Sequence, residues 1–223
     1  MTPKANYIRR YGPMALIALG AFWAGHYLAH SNDRREDAVP IEGFLWPNPP
    51  HLDQFSLQDD QGAVFDDSDL RGKWTLLFFG YTHCPDICPT TLVTLKAVRE
   101  ALRDFPAFDT HAQILFVSVD SERDTPEVLR SYVRYFDPTF RAATAPPEKL
   151  HLLTRQLGAT FVKISSGESS NYWFDHSSSM LLIGPDLRVL GEFTPPHDAH
   201  DLAARIRRII NFIDEESHST RMN

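Results

Sequence analysis

Two short apolar runs most constrain what this chain can fold into. "TLLFFG" (residues 75–80) and "AQILFVSVD" (residues 112–120) read as strands buried on both faces, which needs helices packed over the sheet. Between them Leu92, Leu95, Val98, Leu102 and Phe105 recur every three or four residues. That spacing predicts a helix, opened by Pro89-Thr90-Thr91. After the second run, Asp124-Thr125-Pro126-Glu127 is a helix start: a capping side chain, a first-turn proline, then an acid near the positive helix end. The helix it opens carries Val128, Leu129, Tyr132, Val133 and Phe136.

Another helix is expected from Pro147 through Leu157, stopped by Gly158. "TFVKIS" is a short strand, and "MLLIG" and "RVLGEF" form a hairpin around Pro185-Asp186. Leu202, Ile206, Ile209, Ile210 and Ile213 line one side of a closing helix. Upstream, "FSLQDDQGAVF" alternates around turn residues and reads as a hairpin. The order strand, helix, strand, helix, hairpin, helix predicts an α/β fold: a thioredoxin-like mixed sheet flanked by helices.

The start of the chain reads differently. Lys4, Arg9 and Arg10 precede "YGPMALIALGAFWAGHYLA", residues 11–29, which holds no formally charged side chain. As a helix this stretch would span about 28 Å, close to the hydrocarbon thickness of a bilayer. An N-terminal transmembrane helix is expected, with Tyr11, Trp23 and Tyr27 available as interfacial aromatics. A cleaved signal peptide is the rival, but no small-x-small cleavage site follows the run. Three basic residues before the run against Arg34 and Arg35 after it favour a cytoplasmic N-terminus. The start lacks the long Arg- and Ser-rich, acid-poor leader of mitochondrial import. The expectation is a single-pass protein of a bacterial inner membrane with its soluble domain in the periplasm, ahead of a mitochondrial inner membrane. The expected organisation is an anchor over residues 1–30, a charged and proline-stiffened linker over 31–50, a thioredoxin-like domain over 51–214 and a flexible tail over 215–223. A formal charge of −7, with no basic stripe among aromatics, argues against a nucleic-acid partner.

Both cysteines of the chain, Cys84 and Cys88, lie in "FFGYTHCPDICPTTL", each followed by proline. They sit where the first buried strand meets its helix, the usual functional edge of such a sheet. Free N–H groups at a helix start favour thiolate. Two sulfurs about one turn apart can converge on one point. An exported compartment can oxidise them to a disulfide, so a redox pair is one reading, although exchangers usually have two residues between their cysteines and here there are three. A metal site is the other. Two thiolates suit a soft ion and, with one imidazole, complete a three-coordinate copper(I) site, whereas zinc asks for a fourth ligand. Two inert core residues are disfavoured by the polar, turn-like surroundings of Thr82, His83 and Asp86.

Among ten histidines, His83 adjoins Cys84, and adjacent side chains usually diverge. His176 lies in "YWFDHSSSMLLIG", read as a loop feeding the late strand. Such a loop packs against the cysteines of a thioredoxin-like fold, so His176 can face the sulfurs. Its competing role is structural, bonded by Ser177 or Asp175. A peroxidase lacks support: Thr82 stands only two residues before Cys84, with no Thr-x-x-Cys arrangement.

"FFGYTHCPDICPTTL" with the downstream "DHSSSMLLIG" resembles the Sco/SenC family of membrane-anchored copper proteins that assist cytochrome c oxidase assembly. The resemblance covers about residues 40–213, and "FVSVDSERDTPEVLRSYV" agrees with it. It implies that Cys84, Cys88 and His176 ligate copper, and that the binuclear copper site of oxidase subunit II is the destination. As the runner-up it implies a thiol-disulfide oxidoreductase in which Cys84 and Cys88 are a redox pair reducing the subunit II cysteines. Another copper chaperone or a thiol reductant would then be a further partner. Asp86 is expected to bond within the loop, and Asp175 to orient His176.

Overall fold

The computed structural model describes Trp23, residues 45–46, 48–165 and 172–221, with side chains described to residue 215. The chain divides into two units, residues 1–39 and 40–223, and the following concerns the second. The expected membrane anchor and most of the linker lie outside the described residues. Among the described residues no helix is long and apolar enough to cross a membrane.

Nine strands are described: β1 (Ser56–Asp59), β2 (Val64–Asp66), β3 (Trp74–Gly80), β4 (Ala112–Ser118), β5 (Arg141–Thr144), β6 (Phe161–Ser165), β7 (Tyr172–His176), β8 (Met180–Ile183) and β9 (Val189–Phe193). The helices are α1 (Ile87–Ala101), α2 (Pro106–Asp109), α3 (Pro126–Phe136), α4 (Pro147–Gln156) and α5 (Ala199–Arg221). Seven strands form one mixed sheet in the order β2-β1-β5-β4-β3-β8-β9, and β6 with β7 forms a separate two-stranded sheet. β3 and β4 run parallel at the centre, with Phe78 opposite Phe116 and Gly80 opposite Ser118. On its other side β3 meets β8 antiparallel, Phe78 opposite Met180.

All seven residues of β3 are buried, as the continuous apolar run requires of a strand covered on both faces. β1 instead alternates exposed and buried and pairs with β2 as the expected hairpin. α1 packs against α3 and α5, burying Leu92, Leu95 and Val98 with Ile206, Ile209 and Ile210. Each such side chain contributes about 1.5–3 kcal/mol on burial. Thr125 caps α3 by accepting from Val128 N–H, and Pro126 occupies its first turn. Gly158, at φ +66°, follows the end of α4 in a conformation that favours glycine.

Three features depart from the sequence reading. α1 begins at Ile87, two residues before the expected opening at Pro89, while Cys88 lies in the first turn, where its place beside the helix start puts it. β5 joins β4 in parallel and extends the sheet; "RAAT" is too short and too weakly apolar to signal a strand. Residues 172–176 are a strand rather than a loop: Tyr172 and Phe174 are buried while Trp173 and Asp175 are exposed, the alternation of a half-buried strand.

Candidate metal centre

The cysteines are placed by the end of β3. Val119 N–H donates to Gly80 O at 2.8 Å, and Cys84 N–H donates to Tyr81 O at 3.2 Å, closing a turn that carries Cys84. Cys88 follows one turn on, fully buried, and Cys84 is 9% exposed. Both are free thiols. Gly80 makes room for the second sulfur: a Cβ there would lie 2.7 Å from Cys88 Sγ and 2.6 Å from a Phe116 ring carbon.

His176, the last residue of β7, arrives from the other direction. Its Nε2 is 3.5 Å from Cys88 Sγ, and Cys84, Cys88 and His176 present ligand atoms all within 4.8 Å of one another. The His176 Nδ1 lies 3.0 Å from Ser177 O. A carbonyl only accepts, so Nδ1 carries the proton and Nε2 turns its lone pair toward the sulfurs. The rings of Phe78 and Tyr81 meet the imidazole edge-on at 6.2 and 5.9 Å.

The two thiols are unequal. The hydrogen bond from Cys88 pulls the Cys84 pKa well down, against burial, with the Cys88 and Asp86 N–H groups adding to the effect. Cys88 is pushed up, because its proton serves Cys84 and because it is buried. One thiolate, one thiol and one imidazole lone pair make a donor set soft enough for copper(I). Among the described residues no fourth Cys, His or carboxylate joins this cluster, as a closed zinc site would need.

The structure thus brings Cys84, Cys88 and His176 together. It does not bring His83: that side chain is exposed, with Nδ1 3.1 Å from Thr82 Oγ1. Asp86 is exposed and makes no side-chain cap bond to α1. Asp175 does not orient His176, because strand alternation sends it to the outer face; the Ser177 carbonyl does that instead.

Two residues escaped the sequence reading. Asp124, fully buried, accepts from Thr82 N–H at 2.9 Å, from Thr82 Oγ1 at 2.5 Å and from Ser118 Oγ at 2.5 Å. It pins the loop leading to Cys84. Asp120, also buried, accepts from the Tyr172 hydroxyl at 2.9 Å and pairs with Arg123. From sequence, Asp124 reads as part of a helix start and Asp120 as the end of the second buried strand. With His83 they form a second group of potential ligands, but both carboxylates are already held by these donors.

Comparison with known proteins gives a consistent outcome. The family model described as SCO1/SenC matches residues 47–211. "Protein SCO1 homolog 1, mitochondrial" of Arabidopsis thaliana is 36% identical over 148 residues, which are 66% of this chain and 43% of that protein. This chain therefore spans under half the length of that relative. A Stutzerimonas stutzeri protein named "Putative copper-binding protein" is 35% identical over 195 residues, covering 87% of this chain and 91% of the relative. The crystal structure of Arabidopsis thaliana ScoI with copper bound aligns with a TM-score of 0.67 and 34% identity, over 73% of this chain and 99% of that one.

Proposed function

Because the chain belongs to the SCO1/SenC family, we propose that it is a membrane-anchored copper(I) metallochaperone serving the binuclear copper site of cytochrome c oxidase subunit II. The observation that carries this reading is the approach of His176 Nε2 to the Cys88 sulfur, from a strand 88 positions downstream. A dithiol that only exchanged disulfides would not need an imidazole lone pair aimed at its buried sulfur. The copper bound in the Arabidopsis neighbour and the name of the Stutzerimonas relative support the same cargo.

Copper(I) meets Cys84 as a thiolate, displaces the proton of Cys88 and takes the lone pair of His176. Three ligands leave a position for a thiolate of the receiving protein, so the ion passes by ligand exchange without free release. Oxidation of Cys84 and Cys88 to a disulfide removes both sulfur donors and blocks loading. A second copper chaperone or a thiol reductant fits upstream, as the source of the ion or of the reduced thiols. Residues 11–29 serve as the anchor, holding the domain on the periplasmic face of a bacterial inner membrane.

The test is copper(I) titration followed by transfer to the soluble copper domain of subunit II. Wild type should bind one ion and pass it on. Cys84→Ser and Cys88→Ser should lose binding, and His176→Ala should bind much more weakly. Reduction of subunit II through a trapped mixed disulfide, undiminished in His176→Ala, would favour the oxidoreductase.

A further inference from the structure

The candidate centre is built from two pieces that share no sheet. The cysteines follow β3 of the seven-stranded sheet, while His176 ends β7, whose strand partner is β6. Downstream, residues 177–179 lead from His176 into β8. That connection tethers one end of the β6–β7 hairpin and leaves its tilt over the cysteines to side chains.

Tyr81 packs on Phe174 and His151 stacks on Phe161, and the polar contacts come from the segment between β4 and α3. Asp120 is 1% exposed and accepts from the Tyr172 hydroxyl. It also pairs with Arg123. The guanidinium of Arg123 lies over the Tyr172 ring, 3.8 Å from its centroid, and 5.9 Å from that of Tyr81. Its Nη1 donates to the Tyr172 carbonyl at 3.4 Å. From β6, Lys163 covers the same ring with Nζ at 3.8 Å and reaches both Glu122 oxygens at 2.8 Å. Tyr172 is thereby held by its hydroxyl, its ring and its carbonyl. It stands four residues before His176 on the same strand and the same face.

We propose that Asp120, Arg123 and Tyr172 are positioning residues for His176: they clamp the hairpin so that the imidazole stands at the sulfurs before the metal arrives. This rests on the metal-centre reading above. The clamp matters because a ligand that must be ordered on binding loses affinity to that ordering, whereas one already in place does not. Groups that orient a metal-ligating histidine typically change metal affinity by about 10–100-fold when removed. Arg123 is one tie between the hairpin and the cysteine side of the fold, its guanidinium lying near both Tyr172 and Tyr81, beside the direct ring contacts of Tyr81 with Phe174 and His176.

A double-mutant cycle in the full chain separates positioning from general stabilisation. Arg123→Gln and Tyr172→Phe are made with His176 present and with His176→Ala. Copper(I) affinity is read by competition titration, and amide exchange over residues 172–176 is read without metal. With His176 present, Arg123→Gln should weaken copper(I) binding about tenfold, Tyr172→Phe less, and Arg123→Lys should restore part of the loss. In His176→Ala the same changes should have no further effect. Exchange over residues 172–176 should speed up, while β3 and β4 stay as in wild type. Equal losses with and without His176, or unchanged affinity and exchange, would overturn the proposal. If His176→Ala alone leaves affinity unchanged, the metal-centre reading fails, and faster metal-free exchange in Arg123→Gln would still establish the clamp.

Discussion

At Cys84 and Cys88 the same hydrogen bond has opposite effects on its two ends, and this fixes a pH dependence. Cys84, drawn down to about 4, is a thiolate near neutrality, whereas Cys88 is pushed up and keeps its proton. Copper(I) binding therefore releases one proton, from Cys88, between about pH 7.5 and 8.5. Affinity should rise about tenfold per pH unit across that range and fall equally on acidification. Calorimetric titration in buffers of different ionisation enthalpy counts the protons; two or none would contradict this pairing. Gly80 supplies a second prediction. An added Cβ would sit 2.6 Å from Phe116 and 2.7 Å from the Cys88 sulfur, so either the ring or the sulfur must move. Gly80→Ala should cost about 1–3 kcal/mol by urea denaturation and weaken copper(I) binding through the displaced thiol. Unchanged affinity would show that the sulfur is not held where the structure puts it.

At the scale of elements, the hairpin carrying His176 differs from the strand carrying the cysteines. β3 has strand partners on both sides, whereas β7 has only β6. Metal-free amides of residues 172–176 should exchange faster than those of β3, and copper(I) should slow them by tying the strand end to the sulfurs. Hydrogen exchange with and without the ion checks this, and protection confined to the cysteine loop would exclude His176 as a ligand. The same difference explains what could be read in advance. "TLLFFG" and "AQILFVSVD" announced the sheet centre because continuous burial leaves continuous apolar sequence. The cysteine pair announced itself by composition alone. β7 hid because Trp173, large and apolar, falls on its outer face and blurs the alternation. The roles of Asp120 and Asp124 were illegible because their partners, Tyr172 and Thr82, lie 52 and 42 positions away. Burial with distant donors leaves no local pattern.

For the molecule as a whole, the proposed delivery of copper to cytochrome c oxidase requires the domain to be held at a membrane. Residues 11–29 are uncharged and long enough to span. The full chain should stay with membranes through an alkaline carbonate wash, and deletion of residues 1–30 should release it with copper(I) binding intact. Release of the full chain would remove the anchor from the account. The central claim is that one copper(I) is held by two sulfurs from the β3–α1 turn and one nitrogen from β7. Copper K-edge X-ray absorption on the loaded full chain tests it most directly. The account predicts a first shell of two sulfurs and one nitrogen, with the nitrogen lost in His176→Ala; a shell of sulfur alone, or one unaltered by that substitution, would contradict it.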